Sequence, residues 1–318
     1  MVNNIELREL WEHLSTAKSV VLFPHVNPDG DAMGATAALC RALREQGVEC
    51  RVCAGRAPDY LGFIDTEFFT DDTDIGEPDF CVAVDCSEGH RMDSRVAAYY
   101  KGKNHYCIDH HENETGFGER YYIDRDAAAT CTIIFDMLKE AGVSISHQAA
   151  NAIYTGLSTD TGNFEYSNTD PKSHLIAAEL LELGVDHMEI MTNLYQNRSM
   201  KKVLCENRAL DRALIFADGK GIISYLTSGE MAEMDVLSTD TDEIINKLRD
   251  IAGVEMAAYL EEREDGVKIS MRAKTYSNVG DICKSFGGGG HIKAAGATVN
   301  TSMEDTFAAV KHAIEEAL

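Results

Sequence analysis

His105-Tyr106-Cys107-Ile108-Asp109-His110-His111 is an apolar run that ends in one acid and two imidazoles. An apolar run of this length suits a short strand covered on both faces, the kind found in parallel sheets. The polar, glycine-bearing Glu112-Asn113-Glu114-Thr115-Gly116 that follows reads as a loop. Ionisable groups at the end of such a strand stand at the carboxyl edge of the sheet, where open α/β folds bind ligands. One charged loop says little by itself, so the weight falls on other segments that repeat the pattern.

Three do. Ser19-Val20-Val21-Leu22-Phe23 runs into Pro24-His25-Val26-Asn27-Pro28-Asp29-Gly30-Asp31, and an Ala- and Leu-rich helical stretch follows over 32–46, which makes a first βα unit. Phe80-Cys81-Val82-Ala83-Val84 runs straight into Asp85-Cys86-Ser87. A helical pattern over 146–159 leads into Asp160-Thr161-Gly162. Helices are also predicted over 6–17, 91–100 and 130–141, the last closed by Gly142. A strand is predicted over 49–54 and an edge strand over 121–123. The fold class is therefore α/β: an N-terminal parallel sheet with helices on both faces.

The second half has another rhythm. Asp218-Gly219-Lys220 and Glu264-Asp265-Gly266 each separate two apolar runs and read as hairpin turns. Helices are predicted around 228–234, 240–251, 278–286 and 304–317. This describes a smaller α/β domain with a mostly antiparallel sheet. The expected division is 1–196 for the parallel-sheet domain, 197–213 for a helical connector and 214–318 for the smaller domain.

His25, Asp29, Asp31, Asp85, Asp109, His110, His111 and Asp160 all follow apolar segments, so they can converge on one edge of one sheet. A donor set of carboxylate and imidazole without thiolate favours Mn²⁺, Mg²⁺, Fe²⁺ or Zn²⁺ over soft metals. Four clustered carboxylates would repel and raise one another's pKa without cations; with two divalent ions the charges balance. Carboxylates two apart, as in Asp29-Gly30-Asp31, can reach two ions roughly 3.5–4 Å apart. No serine or cysteine nucleophile stands out: Ser158 reads as a helix-end polar residue, and Cys50-Arg51-Val52-Cys53 lies in a strand.

Composition narrows the partners. The net charge of −24 opposes attraction to duplex nucleic acid or to an anionic membrane, but leaves room for a short anionic substrate at a local cationic spot. No apolar run reaches the ~18 residues of a membrane span, and the polar, acidic first residues show no signal-peptide pattern. Nine cysteines, odd in number and mostly inside apolar runs, suit reduced thiols in the cytoplasm.

The set His25-Val26-Asn27-Pro28-Asp29-Gly30-Asp31-Ala32, Val84-Asp85, Asp109-His110-His111, Asp160-Thr161-Gly162 and Gly287-Gly288-Gly289-Gly290-His291 with Ala294-Ala295-Gly296 resembles the DHH phosphoesterase superfamily, in its DHH/DHHA1 branch. With no extra sensor or membrane region, the chain looks most like that branch's stand-alone bacterial oligoribonucleases with pAp phosphatase activity. The resemblance implies one metal on His25, Asp29 and Asp85, and a second on Asp31, Asp85, His110 and Asp160, with Asp85 bridging. It implies that His111 faces the scissile phosphate and that Asp109 orients an imidazole. The segment 127–133 lacks the family's frequent acidic residue but keeps Thr130.

Substrate choice is assigned to the second domain. Gly288, Gly289 and Gly290 permit close backbone approach to an anion; His291 and Lys293 follow them. Ser270 and Arg272 lie on a hairpin strand, and Arg272 offers a bidentate fork for phosphate. A cationic pocket there would act as a ruler and select short chains. The expected activity is two-metal hydrolysis, with Mn²⁺ first among the candidates, of 2–5-mer RNA to 5′-mononucleotides and of 3′-phosphoadenosine 5′-phosphate (pAp). The expected partners are short RNA and small nucleotides, not duplex DNA or membrane, and a homodimer is compatible. The alternatives are a pApA or cyclic di-AMP phosphodiesterase and a non-catalytic nucleotide-binding regulator.

Overall fold

A computed structural model describes residues 3–55, 57–111 and 117–318; the loop expected at 112–116 lies outside the described residues. The chain divides into two compact units, Met1–Asn197 and Arg198–Leu318.

The first unit is built on six parallel strands: β1 (Ser19–Phe23), β2 (Glu49–Cys53), β3 (Phe69–Thr70), β4 (Phe80–Val84), β5 (Asn104–Asp109) and β6 (Arg120–Ile123). Their spatial order is β3-β2-β1-β4-β5-β6. Alternate residues supply two cores. Val20, Leu22, Val82, Val84 and Ile108 face one layer, while Val21, Phe23, Cys81, Ala83 and Cys107 face the other. Both faces are dry, which is why these strands read as unbroken apolar runs. Each fully buried Leu or Phe contributes about 1.5–3 kcal/mol.

The first layer holds helices α1 (Leu7–Ser15), α2 (Gly30–Glu45), α4 (Thr130–Glu140) and α5 (His147–Asp160). The opposite layer holds a 3-10 stretch, Gly89–Arg95, and the short α3 (Val96–Tyr99). One helix was expected over 91–100, but Asp93 has φ +53° and breaks it. The connection after β1 and the one after β4 thus cover opposite faces. The two strands are neighbours, so a topological switch point opens between their carboxyl ends, where doubly wound sheets bind ligands. Two more helices, α6 (Pro171–Glu182) and α7 (His187–Met191), complete the unit.

The second unit begins with α8 (Met200–Asp211) and continues through β7 (Leu214–Phe216), β8 (Gly221–Leu226), α9 (Ser228–Glu233), α10 (Ile244–Arg249), β9 (Met256–Arg263), β10 (Gly266–Ala273), α11 (Val279–Ser285), β11 (Gly289–Gly290), β12 (Ala294–Val299) and α12 (Met303–Ala317). Its sheet order is β11-β12-β10-β9-β8-β7, antiparallel except for the β8–β9 pair. The helix read as a connector packs into this unit through the fully buried Cys205 and Ala209. Strand β12 was not expected, because Ala-Ala-Gly-Ala has weak strand propensity; pairing with β10 along Val267–Arg272 holds it.

The two faces of this sheet are covered unequally. Val267, Ile269, Met271 and Ala273 of β10 share a core with α11 and α12. On the other face α8 and α10 cover β8 and β9. There Lys268, Ser270 and Arg272 of β10 stay partly exposed.

Candidate metal centre and substrate face

The residues at the switch point come from separate elements. His25 and Asp29 lie on the loop after β1, and Asp29 caps α2 by accepting the Asp31 and Ala32 N–H groups at 3.1 Å each. Asp31 sits in the first turn of α2. Asp85 follows β4 in the left-handed region at φ +58°, a conformation that costs an L-residue about 1–2 kcal/mol. Asp109 ends β5, with His110 and His111 next. Asp160 is the last residue of α5, so it reaches the sheet edge from a helix, not from a strand.

Three sets of side chains meet there with ligand atoms within 4.8 Å of one another: His25, Asp29 and Asp85; Asp31, His110 and Asp160; and Asp85, His110 and His111. The His25 Nε2 lies 3.7 Å from Asp29 and 3.5 Å from Asp85. The His110 Nε2 lies 3.2 Å from Asp160, 3.7 Å from Asp85 and 3.9 Å from Asp31. Asp31 and Asp85 are each 1% exposed.

The imidazole tautomers follow from their other nitrogens. His25 Nδ1 donates to the Val26 carbonyl at 2.8 Å, and His110 Nδ1 donates to the Ala127 carbonyl at 3.2 Å. With the rings neutral and the carboxylates ionised, each Nε2 would turn a lone pair toward a group that only accepts. Among the described residues the buried Nε2 of His25 has no hydrogen-bond partner. That arrangement fits a divalent cation between imidazole and carboxylate.

Without a cation, protons must take its place. Burial, with the Asp85 charge beside it, pushes the Asp31 carboxyl up to about 7. Burial and the Asp31 charge push Asp160 well above the carboxylate range. Burial works against a charged His25, but Asp29 and Asp85 outweigh it and raise the ring to about 10. His110 meets the same opposition from burial and is raised to about 9 by Asp160, Asp31 and Asp85.

His111 is held differently. Its Nδ1 donates to Asp109 Oδ1 at 2.7 Å, and the same oxygen accepts the backbone N–H groups of His110 and His111 at 2.7 and 3.1 Å. Burial would raise Asp109, but the His111 hydrogen bond outweighs it and brings the carboxyl to about 2. With Nδ1 committed to Asp109, Nε2 is the nitrogen of His111 open to a ligand.

Thr130 carries more than the sequence conveys. Its hydroxyl donates to Asp85 Oδ1 at 2.9 Å, and the backbone N–H groups of Thr130 and Cys131 donate to Asp31. Asp31 thereby caps α4, whose own N-cap, Ala129, has no side-chain acceptor. Close helix contacts set this geometry. A Cβ on Gly156 of α5 would fall 2.2 Å from Cys131 Sγ and 2.7 Å from Asp31 Oδ1.

Other candidates have structural roles. Ser158 Oγ pairs with the Tyr195 hydroxyl at 2.9 Å. Cys50 and Cys53 are buried free thiols whose pKa burial raises.

In the second unit a cavity of about 410 Å³ opens on the uncovered face of β10, with Ser270, Arg272, Gly289 and Gly290 among its lining residues. Gly288, His291 and Lys293 are not in that lining. Gly288 donates its N–H to Cys283, and a Cβ there would meet the Gly296 carbonyl at 2.1 Å. Lys293 Nζ is spent on the carbonyls of Thr275 and Ser277. His291 is exposed. Lys268 and Tyr259, which the sequence reading passed over, line the cavity instead. The alternation Lys268-x-Ser270-x-Arg272 puts Lys268 on the same strand face as the two residues named from the sequence, and is the signal by which it was there to be found.

Comparison with known proteins gives two family matches: the DHH family, N-terminal domain, over residues 19–157, and the DHHA1 domain over residues 218–318. A bifunctional oligoribonuclease and PAP phosphatase NrnA of Thermus thermophilus is 32% identical over 94% of this chain and 90% of its own. The protein of the same description from Bacillus subtilis is 25% identical over 92% of each. Among solved structures, an exopolyphosphatase-related protein from Bacteroides fragilis superposes with a TM-score of 0.91 at 26% identity, covering 99% of this chain and 98% of that one.

Proposed function

Since the chain belongs to the DHH phosphoesterase family and carries its DHHA1 domain, we propose that it hydrolyses 2–5-mer oligoribonucleotides to 5′-mononucleotides and removes the 3′-phosphate of pAp. The observation that carries the hydrolytic reading is the buried Nε2 of His25 between two carboxylates, without a hydrogen-bond partner among the described residues. The choice of substrate rests on the two relatives named above.

In this reading His25, Asp29 and Asp85 hold one divalent ion, and Asp31, Asp85, His110 and Asp160 hold a second. Manganese is the first choice, and Mg²⁺, Fe²⁺ and Zn²⁺ suit the same nitrogen and oxygen donors. Ions bound there supply Lewis-acid activation of water and neutralise phosphoryl charge. The chain's own groups do the rest. The carbonyls of Val26 and Ala127 fix two imidazole tautomers, and Thr130 steadies Asp85. Asp109 fixes His111 so that its Nε2 can pass a proton to the departing oxygen. Arg272, Ser270 and the backbone at Gly289 and Gly290 hold the substrate's phosphate or nucleotide in the second unit. The site of action is the cytoplasm, where buried thiols stay reduced.

The test is a Mn²⁺-dependent assay on RNA from dimers to 20-mers, with pAp, pApA, cyclic di-AMP and polyphosphate alongside. The expected result is fastest turnover on the shortest RNA, with release of phosphate from pAp. Faster cleavage of 20-mers than of dimers overturns the length preference. Metal binding without hydrolysis of any substrate favours a regulatory nucleotide-binding protein.

A further inference from the structure

The Asn168 side chain closes a gap that α5 leaves at its end. Asp160 is the last residue of that helix, and a last-turn carbonyl has no partner inside its own helix. The N–H that would close on the Asp160 carbonyl if the helix went on belongs to Phe164, and it donates to Thr161 Oγ1 at 3.1 Å instead. The chain then turns through three left-handed residues, Gly162 at φ +55°, Asn163 at +57° and Phe164 at +67°. Two of these are L-residues in a conformation that they rarely adopt. The turn brings Asn168 back to the helix end. Its Nδ2 donates to the Asp160 carbonyl and to the Ala128 carbonyl, each at 3.0 Å. Both partners only accept, so the amide nitrogen faces them and both of its hydrogens are spent.

Ala128 belongs to a segment that other ligands share. The Ala127 carbonyl accepts from His110 Nδ1 at 3.2 Å. Thr130 donates its hydroxyl to Asp85 and its N–H to Asp31, and the Cys131 N–H donates to Asp31 as well. Asp31, Asp85, His110 and Asp160 are thus all tied to residues 127–131, and Asp160 is tied through Asn168. These four are the ligands given above to the second ion. Among the described residues no hydrogen bond joins His25 or Asp29 to this segment: His25 Nδ1 bonds Val26, and Asp29 caps α2. The helix α5 is held to the segment further back, where Cys131 Sγ donates to the Ala152 carbonyl at 3.8 Å. That bond lies about two turns before Asp160, so the last turn depends on the Asn168 amide.

We propose that Asn168 is a positioning residue for the second divalent ion. It ties the helix end that carries Asp160 to the segment that holds Asp31, Asp85 and His110, and so fixes how far the Asp160 carboxylate reaches. This inference rests on the division of ligands between two ions given above. Asn168 acts through Asp160 and is not a ligand itself. It is exposed, so replacing it leaves the core intact.

Asn168→Ala removes both donors. The test titrates the metal-free protein with Mn²⁺, without substrate, and follows the electron paramagnetic resonance of the free ion. Four proteins are compared: the unaltered chain, Asn168→Ala, Asp160→Ala and the double variant. Thermal melting in EDTA reports the fold apart from metal.

The expected result is two ions per chain in the unaltered protein. Asn168→Ala weakens one of them about 10–100-fold and leaves the other within roughly twofold, the range expected of a group that orients a ligand. Asp160→Ala weakens one ion more severely, and adding Asn168→Ala to it causes no further loss, as for two residues that act through one contact. The melting temperature of Asn168→Ala in EDTA stays close to that of the unaltered protein. Equal weakening of both ions, or a further loss in the double variant, overturns the role and makes Asn168 a general brace. Unchanged affinity for both ions overturns it as well. One ion per chain in the unaltered protein overturns the two-ion division and this proposal with it. If the unaltered protein binds two ions and hydrolyses no substrate, the proposed function fails, and the titrations still decide the role of Asn168.

Discussion

The Asp31 carboxylate accepts the backbone N–H groups of Thr130 at 2.6 Å and Cys131 at 2.9 Å, so a side chain in the first turn of α2 caps α4. One carboxylate therefore has two duties, closing a helix and facing His110. Asp31→Ala is expected to abolish metal-dependent activity and to lower stability by about 1–2 kcal/mol through the lost cap. Chemical denaturation in EDTA removes the metal's contribution and reads the lost cap against the carboxylate repulsion that the substitution relieves.

Thr130→Val tests the support of Asp85. The substitution keeps the shape of the side chain and removes the hydroxyl that donates to Asp85 Oδ1. Residues that orient a ligand typically change metal affinity or activity 10–100-fold. A loss in that range is expected, with part of it recovered at higher Mn²⁺. Activity within twofold of the unaltered protein would show that Asp85 holds its position without this bond.

Gly156→Ala probes the helix contacts beneath the site. The new methyl meets Cys131 Sγ and Asp31 Oδ1, and overpacking of this kind costs about 1–3 kcal/mol. Metal affinity is expected to fall along with stability. Adding Cys131→Ala removes the sulfur and should restore part of the stability, as urea unfolding of the single and double variants will show.

Metal binding is expected to depend on pH with a definite sign. In the metal-free protein His25 is raised to about 10 and His110 to about 9. Their contribution to stability is present below about 6.5, the unfolded value, and is lost as pH rises through 9 to 10. Asp31, raised to about 7, loses stability over the range from its unfolded value up to 7. All three bind more protons folded than unfolded, so the metal-free protein weakens from pH 5 to pH 9. A divalent ion must displace those protons. Added Mn²⁺ should therefore raise Tm more at pH 8 than at pH 6, and an equal shift at both would argue against the ligand set.

Glu255 governs acid stability in the second unit. It is 4% exposed and accepts hydrogen bonds from the Thr275 hydroxyl and the backbone N–H groups of Thr275, Tyr276 and Ser277. Burial pushes its carboxyl up, but the Thr275 hydroxyl and the three N–H groups outweigh it and bring the value to about 2. The resulting stability is present above pH 4.5 and is lost as pH falls toward 2. Glu255→Ala should cost on the order of 2–3 kcal/mol at neutral pH and flatten the acid limb of the unfolding profile.

What the sequence conveyed follows from how each feature is encoded. Strands β1, β4 and β5 are covered on both faces, so they appear as apolar runs, and the ionisable residues after them stand out. Asp160 was found by its motif, although a helix delivers it. The cap that Asp31 places on α4 joins residues about a hundred positions apart, and no local pattern encodes it. The same holds for Thr130, whose hydroxyl matters only because of what the fold sets beside it. In the second unit a strand of alanine and glycine escaped notice, and Lys293 drew attention by its charge while its amine holds a loop.

All eight acidic and imidazole side chains at the switch point lie between His25 and Asp160, within the first unit. During translation the ribosome has therefore delivered the full set of candidate metal ligands before it makes any of the second-unit residues proposed to hold the substrate. Domains generally fold as they are synthesised, the N-terminal one first. The nascent chain thus carries every side chain of the candidate metal centre while the second unit is still unwritten.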